Sequence, residues 1–214
     1  MAPISKAVIV PVALLVWSST ALGAEPSPYV QIGAGANFMD RLKLESPAGV
    51  ESRSQLNFDP GPLVTGSVGY AFANNFRAEF EVGYRDAPGK DITLPGGGTV
   101  SPANFKAGSE IYTYMANGFY DFGPFYSSWY PHVGFGVGAA NVNSHRANSE
   151  TVFAYQAIGG LEYQLQPRLR LGLDYRYLGT DTVHLGLTQA GSRGVSGSVN
   201  DHAILFTLRW NFFN

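Results

Sequence analysis

Phe76-Arg77-Ala78-Glu79-Phe80-Glu81-Val82-Gly83-Tyr84-Arg85 places an apolar residue at every even position and a charge or glycine at every odd one. Successive side chains of a strand point to opposite faces, so this segment offers one face suited to hydrocarbon and one suited to water or ion pairs. Arg168-Leu169-Arg170-Leu171-Gly172-Leu173-Asp174-Tyr175-Arg176-Tyr177 repeats the pattern. What has to be decided is whether the apolar face meets protein or lipid.

The first residues bear on the compartment. Lys6 supplies a positive start, Ala7 to Trp17 an apolar stretch interrupted by Pro11, and Ala21-Leu22-Gly23 a small-residue cleavage site. Together they read as a secretory signal peptide over residues 1–23, cleaved after Gly23 or Ala24, ahead of one barrel domain over 24–214. The apolar stretch is shorter than the roughly 20 residues that a membrane-spanning helix needs. The junction has no cysteine for lipid anchoring, and with 0 Cys in the chain no disulfide is expected outside the cytoplasm.

Composition narrows the class. Charged residues make up 14% of the 214, aromatics another 14%, and the 26 glycines follow no collagen-like period. A formal net charge of -2 gives no electrostatic case for a nucleic-acid partner. After the signal no apolar run is long enough for a membrane helix, so a spanning structure must be a closed barrel in which every backbone polar group is paired between strands.

Period-2 segments predict eight strands, at about 28–39, 62–72, 76–85, 110–122, 130–140, 152–165, 168–178 and 201–213. The connections alternate in length. Residues 40–61, 86–109, 141–151 and 179–200 are long and rich in Gly, Pro, Ser and Asn, whereas Ala73-Asn74-Asn75, 123–129 and Gln166-Pro167 are short. That is the rhythm of an outer-membrane barrel, with tight periplasmic turns and long extracellular loops. Short links make antiparallel neighbours, so the expected fold is all-β: an eight-stranded antiparallel up-and-down transmembrane β-barrel with both termini in the periplasm.

The alternation assigns faces. Outward go Val30, Ile32, Ala34, Ala36, Phe38, Val68, Tyr70, Phe72, Val133, Phe135, Val137, Ile204, Phe206, Leu208, Trp210 and Phe212. Inward go Gln31, Asn37, Thr65, Ser67, Gln156, Glu162, Thr207, Arg209 and Asn211, with Gly33, Gly35, Gly134, Gly136 and Gly138. Aromatic girdles are expected from Phe72, Phe76, Tyr120, Phe122, Tyr130, Tyr163, Trp210 and Phe212 at the turns, and from Phe38, Tyr84, Phe153 and Tyr177 at the loops. In the fourth strand Ile111-Tyr112-Thr113-Tyr114-Met115 is apolar on both faces, and only Asn117 and Asp121 set the phase.

The segments Phe153-Ala154-Tyr155-Gln156-Ala157-Ile158-Gly159-Gly160, Leu171 to Thr180 and His202 to Phe212 resemble the small eight-stranded outer-membrane barrels of Gram-negative bacteria. The resemblance is to the OmpA-type transmembrane domain and to alphaproteobacterial surface proteins, and it covers nearly the whole mature chain. Asn57-Phe58-Asp59-Pro60-Gly61 and Gly69 to Glu79 fit it too. It implies a cell outer membrane location, lipid and lipopolysaccharide as surroundings, and a C-terminal insertion signal at Trp210, Phe212 and Phe213 read by the barrel insertion machinery. Asn214 after the last aromatic departs from the family pattern.

Catalytic chemistry finds little support. Gly134-Phe135-Gly136-Val137-Gly138 lies inside a strand pattern with no helix after it, so lumen packing is the better account than nucleotide binding. Ser144-His145 and Asp201-His202 assemble no nucleophile, base and orienting acid. None of His132, His145, His184 and His202 has a serine two positions on, the spacing of barrel-type lipid A deacylases. No cofactor and no metal are expected, and the chain reads as non-enzymatic. His132 is expected inward as a hydrogen-bonding group.

Charge in the lumen remains as the functional clue. Arg77, Glu79, Glu81 and Arg85 should face Arg168, Arg170, Asp174 and Arg176, with Glu162, Asp201 and Arg209 on flanking strands. An eight-stranded interior is just wide enough for side chains to fill it, so mixed signs should form a salt-bridged plug. The expected pairs are Glu79 or Glu81 with Arg170, and Arg85 with Asp174. The reading that follows is a monomeric barrel that supports the envelope and presents its long loops to host or environmental ligands. A narrow pore for small solutes or ions is the alternative, and a lipid-modifying enzyme of the outer membrane the third.

Overall fold

The computed structural model describes residues 26–40, 42–43, 55–93, 99–100, 108–144, 147–185 and 195–213; the expected signal segment 1–23 lies outside them. Eight long strands build the wall: β1 Ser27–Met39, β2 Gly61–Ala71, β3 Phe76–Thr93, β4 Gly108–Asp121, β5 Trp129–Ser144, β6 Ala147–Gln166, β7 Leu169–Leu185 and β8 Val195–Asn211. Each pairs antiparallel with the next, and β8 returns to β1, which closes the barrel. Closure satisfies the backbone N–H and C=O groups without help from water, the condition for crossing hydrocarbon.

Register fixes the stagger. From Tyr29 the line of paired residues runs through Gly69, Glu79, Asn117, Gly136, Gln156, Leu178 and Asp201, and comes back to β1 at Met39, ten residues from its start. The strands are therefore tilted to the barrel axis, and residues level with one another across the interior are not those joined by counting hydrogen-bonded partners.

The alternation read from the sequence is the alternation of the wall. Ile32, Val68, Phe135 and Phe206 are 57–65% exposed on the outer surface, while Gln31, Thr65, Glu81, Gln156 and Arg209 are buried inside. In β4 the odd positions Ile111, Thr113, Met115, Asn117 and Phe119 turn inward, the phase that Asn117 indicated. Aromatic pairs gather at both ends, Phe76 with Tyr120 and Trp129 with Tyr163 near the turns, Tyr84 with Tyr112 and Tyr155 with Tyr177 near the loops. Tyr130 departs from the expected girdle: it lies on the inner side, with the Arg170 guanidinium 3.9 Å from its ring centre.

The strands reach further toward the loop end than expected. β3 runs to Thr93, β7 to Leu185, and the predicted loop 141–151 is almost entirely the hairpin of β5 and β6. Gln55–Phe58 adds to the edge of β3, Leu42–Lys43 to Gln55–Leu56, and Thr99–Val100 to Ile92–Thr93. Above the apolar band the outer face meets water, so pairing continues without the hydrocarbon-facing side by which such a strand is recognised. Where β7 leaves the band, its register with β8 slips between Gly179 and Thr182.

The opposite end is tight. Asn75 turns β2 into β3 with φ 65, a left-handed conformation that asparagine tolerates, and Phe72 N–H donates to the Phe76 carbonyl at 2.8 Å. The two termini of the barrel meet there, with Phe213 N–H donating to Ser27 Oγ at 2.9 Å.

Candidate functional site

The interior is the candidate site, and it is layered. At the short-turn end, Arg77 Nε donates to both carboxylate oxygens of Asp121 at 2.9 and 2.8 Å, and Arg209 donates to Glu162 at 2.6 Å. Arg170 reaches the same Glu162 at 3.5 Å. Arg77 also packs over the Phe119 ring at 4.5 Å and donates to Tyr29 Oη at 3.3 Å. Gly69 leaves room for Tyr29, since a Cβ there would run into its ring.

In the next layer the Glu79 carboxylate accepts hydrogen bonds from Tyr29 at 2.9 Å, Asn117 at 3.0 Å and Ser67 at 3.2 Å. Three donors on three strands hold one buried anion, which offsets its loss of water. Gln156 links this layer to the one above, donating to Asn117 at 2.7 Å and Glu81 at 3.3 Å. Arg176 is then shared between Glu81 at 2.5 Å and Asp174 at 3.0 Å, and the His132 ring lies 3.1 Å from the other oxygen of Asp174.

Nearest the loops, Arg85 meets Asp201 at 2.7 Å, with both side chains at 1% exposure or less. Their register neighbours are apolar: Leu63 and Ile111 beside Arg85, Leu178 and Met39 beside Asp201. Ile111, Met115, Ala140, Val142, Ala154, Leu178 and Val199 form a buried apolar cluster at this end, with Leu63, Ala203 and Leu205 as a second.

Several expectations need correction. Arg168 does not enter the lumen; it is exposed on the turn between β6 and β7, where side chains project beyond the barrel end. Glu79 and Glu81 do not pair with Arg170, which is held by Glu162 on the adjacent strand before anything reaches across. Arg85 pairs with Asp201 and not with Asp174. The stagger is the cause. The register line leaving Arg85 arrives on β8 at Leu205 through Leu63 and Gly35, and because that line slopes, the level residue lies about four positions nearer the loops. By the same slope Glu81, whose line reaches β7 at Thr180, is level with Asp174 and Arg176.

The sequence reading missed Tyr29 as a donor, Asp121 as the carboxylate of Arg77, and Tyr130 as the ring beneath Arg170. Tyr29 shares its face with Gln31, so its phase was available. Asp201 and His202, adjacent in sequence, point to opposite sides of the wall and cannot act as one catalytic unit. His202 instead lies outside, 2.6 Å from Tyr175 Oη and 3.9 Å from Asp40. The side chain of His145 lies outside the described residues.

A closed antiparallel barrel with an apolar outer wall, aromatic ends and a polar interior defines an outer-membrane β-barrel protein. The chain belongs to the outer membrane protein beta-barrel domain family, whose model matches residues 9–212. Its location is the outer membrane of the Gram-negative envelope. Among solved structures it is similar to OprG of Pseudomonas aeruginosa, at 13% identity and a TM-score of 0.66 over 90% of this chain and 99% of that one. It is also similar to Neisserial surface protein A, at 20% identity and 0.56 over 87% and 99%, and to AlkL, at 18% and 0.54 over 92% and 96%. At these identities the likeness shows the fold alone. No curated protein matches the chain at a significant level.

Proposed function

We propose that this barrel is a closed, non-enzymatic surface protein that stabilises the outer membrane and presents its loop end to the surroundings. The observation that carries this reading is the filled interior. Arg176 and Glu81 are fully buried in mid-barrel, Arg85 and Asp201 are sealed among Leu63, Ile111 and Leu178 above them, and a solute would have to break both layers to pass.

The extended strands support the second half of the reading. β3, β5, β6 and β7 continue pairing past the apolar band, which gives the loop end a rigid rim outside the bilayer on which to carry binding segments. At the other end Trp210 and Phe212 are half-exposed on the outer wall and Phe213 is exposed beside them, which supports reading them as the insertion signal.

A deletion strain tests the proposal. Loss of the protein should raise sensitivity to detergents and reduce surface binding, with uptake of small solutes unchanged. A deletion whose main effect is lost solute uptake would overturn it.

A further inference from the structure

Arg77, Arg170 and Arg209 converge at the short-turn mouth of the barrel, where with Ser27, Tyr130 and Asn211 they line a cavity of about 150 Å³. Among the described residues, two carboxylates lie within ion-pair distance of these three guanidiniums. Asp121 takes Arg77 at 2.8 Å and Arg209 at 3.7 Å; Glu162 takes Arg209 at 2.6 Å, Arg170 at 3.5 Å and Arg77 at 3.7 Å. Within this group the guanidiniums outnumber the carboxylates by one, and the next carboxylate, Glu79, is reached through Tyr29 in the layer above.

Donors are in excess as well. Nη2 of Arg77, Nε of Arg170, and Nε and Nη1 of Arg209 are buried without a hydrogen-bond acceptor, against one unpartnered acceptor among the lining residues, Asn211 Oδ1; Nη2 of Arg77 and Nη1 of Arg209 have carboxylate oxygens only at 3.7 Å. A buried N–H with no acceptor is costly, and four of them on the three arginines that border one cavity mark a place that an acceptor would stabilise. The Tyr130 ring against Arg170 fixes that guanidinium at the cavity wall, and the Asp121 carboxylate on the same wall is already engaged by Arg77 through both oxygens. Planar guanidiniums match the spacing of oxygens on phosphate and sulfate, and the volume suits a group of that size.

We propose that this mouth binds a free tetrahedral oxyanion, phosphate or sulfate, entering from the periplasmic side. The three arginines lie inside the ring, while Phe72, Phe76 and Phe213 border the cavity at its rim. The free ion is the ligand proposed, and the lipid arm of the test separates it from a headgroup. The ion supplies the acceptors that three arginines lack and ties β1, β3, β7 and β8 together at the mouth.

The test uses the full barrel in zwitterionic bilayers, titrated with sodium sulfate, sodium phosphate or sodium chloride at matched ionic strength. Binding heat and the thermal unfolding midpoint are the readouts. Sulfate and phosphate should give saturable heat and a raised midpoint, and chloride neither. Arg170→Gln, at the cavity edge, should weaken sulfate binding at least tenfold. Asn211→Asp keeps all three arginines and adds a carboxylate to the wall; with its circular dichroism unchanged, it should abolish binding. An effect of sulfate equal to that of chloride would overturn the proposal, as would unaltered binding in both variants. If phosphatidylglycerol placed in the bilayer displaced sulfate, the headgroup would be the ligand and the free-ion assignment would fall.

Discussion

Arg85 on β3 and Asp201 on β8 form a 2.7 Å ion pair across the barrel, three strands apart, with apolar register neighbours on both sides. Neither side chain has access to water, so each relies chiefly on the other, with Asn37 beside Asp201 and Glu81 the next carboxylate to Arg85. Asp201→Asn or Arg85→Met alone should destabilise by about 3–5 kcal/mol, because a buried charge loses its ion-pair partner. The double variant should lose less than the sum of the singles. Unfolding by urea in micelles gives the four free energies, and strictly additive losses would reject the coupling.

How much of this was legible in the sequence divides by the physics involved. Lipid admits only apolar side chains, so Phe80, Leu173 and Phe206 declare the outer face wherever they stand. The interior imposes a weaker rule: it must be filled, with polar groups paired, and Ile111, Met115 and Leu178 fill it as well as glutamine would. Strand ends were lost where β5 and β6 enter water and alternation is no longer required. The pairing of Arg85 and Glu81 depends on a stagger accumulated over all eight strands, a global quantity that no local pattern encodes.

Two adjacent glycines separate the faces. A Cβ at Gly160 would run into Asp174 Oδ1 and His132 Nε2, whereas one at Gly159 has nothing within 4 Å. Gly160→Ala should cost about 1–3 kcal/mol by overpacking the interior, and Gly159→Ala should be close to neutral. Equal effects in thermal unfolding would mean that the phase of β6 is wrong by one residue.

Depth in the membrane sets the cost of a charge on the wall. Phe206, 65% exposed midway along β8, should lose about 2–4 kcal/mol as Phe206→Arg, while Phe72→Arg beside the turn should lose about 0–1 kcal/mol. Refolding equilibria in bilayers provide the comparison, and the reverse ranking would misplace the apolar band.

Orientation can be read on intact cells. Protease sites introduced at Gly97, between β3 and β4, or at Ser192, between β7 and β8, should be cut from outside, and a site at Asn75 should be protected. Cleavage at Asn75 with protection at Gly97 would turn the barrel over.

The closed interior is the central claim, and current through single barrels in a planar bilayer measures it most directly. With Arg176 held by Glu81 and Asp174, and Arg85 held by Asp201 above them, the unmodified protein should pass no steady current at moderate voltage, while the Arg85→Ala, Arg176→Ala double variant should conduct. A large, steady conductance in the unmodified barrel would contradict the account and identify the protein as a pore.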